Sequence, residues 1–121
     1  MKKAHRSEFL KAVKDRFPEI RSEINKEDGL LTFEVAVFIK FIQRKVDESE
    51  KAVVIDAFNI LNEYYIKGNE SLNQIIRNAV CEDLDLSDTS VTERHWAFEM
   101  LPEPLKTERR SWFEFMGYQS E

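Results

Sequence analysis

Residues 49–86 read SEKAVVIDAFNILNEYYIKGNESLNQIIRNAVCEDLDL, and this stretch decides the fold. Ala57, Phe58, Leu61, Tyr64 and Tyr65 recur at three- and four-residue steps, the repeat of one helix face. Leu72, Ile75, Ile76, Ala79, Val80 and Leu84 repeat the pattern. Between the two runs, Gly68-Asn69-Glu70 reads as a tight turn. Gly68 fits the position just past a helix end, where positive φ disfavours a side chain. Ser71 followed by Gln74 has the spacing of a capping box, which satisfies the free N–H groups of a new first turn. The stretch is therefore predicted to be a helical hairpin reaching Leu86.

Outward from the hairpin, the chain continues in the same style. Ser7 is placed to cap a first helix carrying Phe9, Leu10, Val13 and Phe17, which Pro18 interrupts. A further turn or two through Ile20 and Ile24 ends at Asp28-Gly29. Thr32 is read as the cap of a helix over residues 33–46. Its first apolar face is Val35, Phe38, Ile39, Ile42 and Val46, and its second is Phe33, Val37 and Phe41. A helix apolar on two faces is buried on two sides, so this one is expected to be central. The β-branched and aromatic residues of VAVFIKFI also permit a strand, but they do not alternate cleanly. On the C-terminal side, Ser90 or Thr92 is read as the cap of a short helix holding Trp96, Phe98 and Met100. Pro102 and Pro104 then bend the chain into a last helix with Trp112, Phe113 and Met116 inward. The fold class is all-α: one domain over residues 1–121, a compact antiparallel bundle of five or six helices with solenoid-like hairpin packing.

Composition narrows the function classes. With 42% hydrophobic and 34% charged residues, the chain is globular rather than disordered. The single cysteine, Cys81, excludes an internal disulfide and a cysteine zinc site, and its apolar neighbours mark it as a small core residue. Tyr64 and Tyr65 are read as core, at least in part. The longest apolar run, residues 35–39, falls far short of the roughly 20 residues that span a membrane. No signal peptide is legible, so a cytoplasmic protein is expected.

Catalytic motifs are missing. The three glycines lie far apart, so no phosphate loop forms. His5 and His95 are ninety positions apart, and His95 is read as exposed or satisfied within the core. Glu82, Asp83 and Asp85 lack the spacing of a calcium loop. The expectation is a non-enzyme with no cofactor and no metal. A metal- or carboxylate-dependent enzyme ranks third among the readings.

Charge, by contrast, is organised. Residues 1–45 hold eleven Lys and Arg against seven Asp and Glu, a net +4. Residues 46–81 carry −3 and residues 82–121 carry −6, within an overall net charge of −5. Such an acidic end disfavours nucleic acid and suits a basic protein partner, whose approach it would speed. The expected partner-binding residues are Asp83, Asp85, Asp88 and Glu93, with Trp96 as apolar anchor. If they do not form the interface, the more basic segment from Arg6 to Arg21 is the alternative.

Two stretches carry a resemblance: Lys67-Gly68-Asn69-Glu70 through Asn78-Ala79-Val80-Cys81-Glu82-Asp83-Leu84, and Met100-Leu101-Pro102-Glu103-Pro104-Leu105. Over residues 50–117 the chain resembles small all-helical bacterial immunity-type proteins, encoded beside polymorphic toxins as in contact-dependent growth inhibition. The resemblance implies an immunity protein that binds and neutralises a cognate toxin, most simply a nuclease, by covering its active surface. It supplies no catalytic residues. The alternative is a helical adaptor or scaffold with another protein partner.

Overall fold

The protein was analysed as a computed structural model, which describes residues 3–27, 29–87 and 93–117. The elements run α1 (Arg6–Arg16), a 3₁₀ turn (Pro18–Ile20), α2 (Arg21–Lys26), α3 (Leu31–Asp47), α4 (Lys51–Lys67), α5 (Glu70–Glu82), α6 (His95–Met100) and α7 (Glu103–Phe115). The fold is all-α. Residues 35–42 are helical throughout, and of the segment through Ile20 and Ile24, Ile20 closes the 3₁₀ turn and Ile24 lies in α2. Among the described residues the one extended pairing is a single parallel bridge between Ala4 and Gly68.

α3 is central, as its two apolar faces require. It packs against α1, α2, α4 and α5. Its first predicted face is buried in full, from Val35 to Val46. The second is buried only at Phe41; Val37 is half-buried and Phe33 is 54% exposed. Aromatic rings knit the layers: Phe9 of α1 meets Phe38 at 6.1 Å and Tyr64 at 5.5 Å, and Phe17 meets Phe41 at 5.0 Å. Such edge and tilted pairs add to the area they bury.

The hairpin forms, but its punctuation differs from the reading. Gly68 has φ −69° and ψ 155°, ordinary extended backbone. Glycine is needed there for space, since a Cβ would collide with the Tyr64 carbonyl oxygen and crowd Leu72 Cδ2 at 3.0 Å. The capping residue is Asn69 and not Ser71: the Asn69 side chain accepts a hydrogen bond from the Leu72 amide at 3.0 Å, while Ser71 lies inside the helix. Ser7 and Thr32 likewise fall inside α1 and α3, which His5 and Leu30 precede without a side-chain cap. Ser90 and Thr92 lie outside the described residues.

The N-terminal segment is pinned rather than loose. The Ala4 amide donates to the Lys67 carbonyl at 2.9 Å, and the Ala4 carbonyl accepts from the Asn69 amide at 2.8 Å. The Asn69 side-chain amide also meets His5 Nδ1 at 3.0 Å.

At the other end, α5 stops at Glu82, short of Leu86. Arg109 of α7, 1% exposed, donates to the carbonyls of Val80 and Leu84, the latter at 3.2 Å. A cation at a helix C-terminus satisfies orphan carbonyls and suits the macrodipole. Arg109 and Leu105 are therefore the buried residues of α7. Trp112 and Phe113 are half-buried and Met116 is exposed, contrary to the inward placement expected of all three.

Candidate protein-binding face

The outward face of α3 carries Phe33, Ala36, Lys40, Gln43 and Asp47, spaced three and four apart so that they share one side. Its first turn is apolar, with Leu30 and Phe33 each 54% exposed. Its last turn brings Asp47 to this side, next to the cations Arg44 and Lys45. Along it, Ala36, Ile39, Lys40 and Gln43 form one wall of a cleft of about 390 Å³ that Asp83 closes. A second cleft, of about 330 Å³, lies between Val46, Asp47 and Ser49 on one side and Glu93 and Arg94 on the other.

Gln43 holds this surface together. Its side chain accepts from the Asp85 amide at 2.8 Å and donates to the Asp85 carbonyl at 3.1 Å, so the segment after α5 is clamped to α3 from both sides. Arg94 completes the clamp, with Nε donating to Asp47 at 2.8 Å and a terminal nitrogen donating to Asp85 at 2.6 Å. The hydrogen bond that Arg94 donates to Asp47 leads the effects that raise the pKa of Arg94, with the Asp85 charge next. His95 follows on the same segment. Its Nδ1 lies 2.7 Å from the Ser87 carbonyl, which can only accept, so Nδ1 carries the proton.

The predicted partner-binding residues fare differently. Asp83, Asp85 and Glu93 are brought to this one face and are exposed. Asp85 shares its charge with Arg94, whereas Asp83 and Glu93 line the two clefts. Asp88 lies outside the described residues. Trp96 is half-buried against the core, with Lys51 Nζ 5.4 Å above its ring and its indole N–H without an acceptor among the described residues. It belongs to the α4–α6 contact, and the exposed apolar groups of this face are Leu30 and Phe33 instead. The reading of the sequence missed Gln43, Asp47 and Arg94. Gln43 sits on the polar side of the predicted helix over 33–46, and Asp47 lies one residue past its predicted end, four positions on from Gln43, which was the available signal.

The cysteine does not open a second site. Cys81 is buried, and burial is the chief effect lifting its thiol to about 11. A thiol pushed up from 9.0 is a poor nucleophile at neutral pH. Near it, the Tyr65 hydroxyl donates to Glu108 at 2.9 Å, and burial followed by that bond raises the phenol to about 12. These groups join α4 and α5 to α7. Among the described residues no cluster of His, Cys, Asp and Glu is arranged to hold a metal.

The fold and this face define a small helical-bundle domain with an exposed, internally braced acidic surface. The chain belongs to the DUF7674 family, a domain of unknown function whose model matches residues 10–116. Neither the curated proteins nor the solved structures yield a match.

Proposed function

We propose that this domain is a binding protein of the immunity type, which captures a basic toxin domain on the outward face of α3 and covers its working surface. One observation carries the reading: the outward face of α3 runs from exposed Phe33, with Leu30 just before it, to Asp47, where Asp83, Asp85 and Glu93 of the segment between α5 and α6 join it, and Gln43 and Arg94 brace that end. Apolar groups supply water exclusion, and surface acids supply fast, selective encounter with a basic surface. A braced surface loses little entropy on binding. A nuclease fits as partner because its substrate groove is basic and acids on a rigid frame mimic phosphates. No chemistry by this chain is required. Among the described residues no helix is long and apolar enough to cross a membrane; the proposed action is in the cytoplasm, on an imported toxin.

The test is growth rescue. A cell expressing the toxic C-terminal domain of a large secreted protein encoded beside this gene should survive when the domain is co-expressed. Asp83→Lys combined with Glu93→Lys should abolish rescue while circular dichroism stays helical. Rescue that persists in that double variant, with association kinetics unchanged, places the interface elsewhere and defeats the reading. A complex with a non-toxic protein would favour the adaptor instead. Phe115, 82% exposed, gives α7 an uncovered apolar end suited to that role.

A further inference from the structure

The basic excess of the N-terminal segment looks diluted in sequence, because acids interleave with the cations. Folding concentrates it. Arg6, Lys11 and Lys14 of α1 and Arg21 of α2 converge on one cleft of about 440 Å³, whose acids are Asp15 and Glu34. Four cations against two acids give the lining a net +2, in a chain whose net charge is −5. We propose that this cleft binds a small phosphate-bearing ligand.

The acids position the cations rather than cancel the site. Glu34 is 2% exposed, and a carboxylate so buried must be paired. Its partner is Arg6 at 2.6 Å, whose side chain is 41% exposed. The buried carboxylate thus fixes Arg6 in the wall with further guanidinium N–H groups directed away from Glu34 and free to donate. Asp15 does the same at the rim, 2.6 Å from Lys11 and 3.7 Å from Arg21. The Arg21 guanidinium also lies 3.5 Å from the Lys14 carbonyl, which draws α2 to α1. Lys14 itself pairs with no acid among the described residues. The result is two guanidinium forks and two lysine charges around one concave space, with Arg6, Lys11 and Arg21 oriented by acids and Lys14 left to a ligand.

That donor set matches a phosphate better than a lone carboxylate. A phosphate monoester carries close to two negative charges at neutral pH and three acceptor oxygens, against a lining of net +2. Guanidinium forks meet phosphate oxygens in pairs, and lysine adds point charge. The cleft volume lies within the range of small-molecule sites. A nucleic-acid duplex would need an extended basic stripe, and the remainder of this chain is acidic.

Pyrophosphate titrated into the intact protein by calorimetry at low salt should bind saturably at one site. Lys14→Glu and Arg21→Glu, both at the cleft mouth, should each weaken it by at least about tenfold, the change one lost charge-assisted contact is worth. Asp83→Lys, on the other side of α3, should leave it unchanged. Affinity should fall as pH drops below about 6, where the phosphate takes up its second proton. Equal binding by the parent and both cleft variants, or no saturable binding, overturns the proposal. Two arms separate the sources of the phosphate. Vesicles of phosphatidylcholine with phosphatidic acid that capture the parent and not Lys14→Glu assign the group to a lipid headgroup. Pyrophosphate binding without vesicle capture assigns it to a soluble ligand.

Discussion

The two ends of α3 are held by the same chemistry in different surroundings. At its start Glu34 pairs with Arg6 in a site where the carboxylate is 2% exposed. At its finish Asp47 pairs with Arg94 where both side chains are more than 40% exposed, at 45% and 41%. A buried charge that loses its partner has no water to turn to, whereas an exposed one rehydrates. The first end is therefore the stabilising end, and on the proposed reading the second is the presenting end, whose acids stay available to a partner because they contribute little to holding the fold.

This contrast fails if the two arginines prove interchangeable. Arg6→Ala should cost about 3–5 kcal/mol in urea denaturation, because it strands Glu34. A loss near that of a surface pair would mean that water reaches the carboxylate. Gly68→Ala, beneath the Ala4 bridge at the stabilising end, should cost about 1–3 kcal/mol as the turn is forced off the Tyr64 carbonyl. Thermal melts would show it, and a neutral result would mean the turn yields cheaply.

At the presenting end the effects should be small and of both signs. Ser49 sits at φ 57° directly after α3. Its amide donates to the Val46 carbonyl at 3.0 Å, and the Glu50 amide donates to the Lys45 carbonyl at 2.9 Å, the two bonds of a Schellman end. Ser49→Gly should raise stability by about 0.5–1 kcal/mol by relieving a left-handed serine. Arg94→Ala should cost only about 0–1 kcal/mol, and less as salt rises, yet it should alter partner association, since it frees Asp47 and Asp85. A large loss on Arg94→Ala would show that the clamp on residues 84–87 is part of the core.

Alkaline titration probes the contact between α7 and the hairpin. The folded pKa values of Tyr65 and Cys81 lie above their unfolded values, near 12 against 10.0 and near 11 against 9.0. Their contribution is whole below pH 9 and is lost as pH climbs through that window, because the unfolded chain releases these protons first. The double variant Tyr65→Phe with Cys81→Ala should flatten the decline. A thiol reagent should also label Cys81 slowly until the protein is denatured.

Periodicity determined most of the architecture by itself. The apolar repeats of residues 49–86 and 33–46 encode helices because side-chain direction in a helix is a local consequence of backbone geometry. The central place of α3 followed from its two apolar faces. Local signals went astray where a residue answers to a distant one. Gly68 looks like a left-handed helix end, but its glycine is demanded by the Tyr64 carbonyl and the packing of Leu72, while the left-handed position fell to Ser49. Asn69 outcompetes Ser71 as cap in a turn that Ala4, from the far end of the sequence, also holds. Arg109 takes no role in the reading of the sequence, and it is buried because α5 ends against it with carbonyls to satisfy. The acidic face was half legible: the charge run placed Asp83, Asp85 and Glu93, but only the fold supplied Gln43, Asp47 and Arg94 and turned Trp96 toward the core. The basic cleft was legible only as a charge excess: the count marked Arg6 to Arg21 as the more basic segment, but Arg6 and Lys14 belong to α1 and Arg21 to α2, and they line one cleft only where the two helices fold together against α3. A helix face is written in consecutive residues. A cluster of charges from separate helices exists only once tertiary packing has fixed the distances between them.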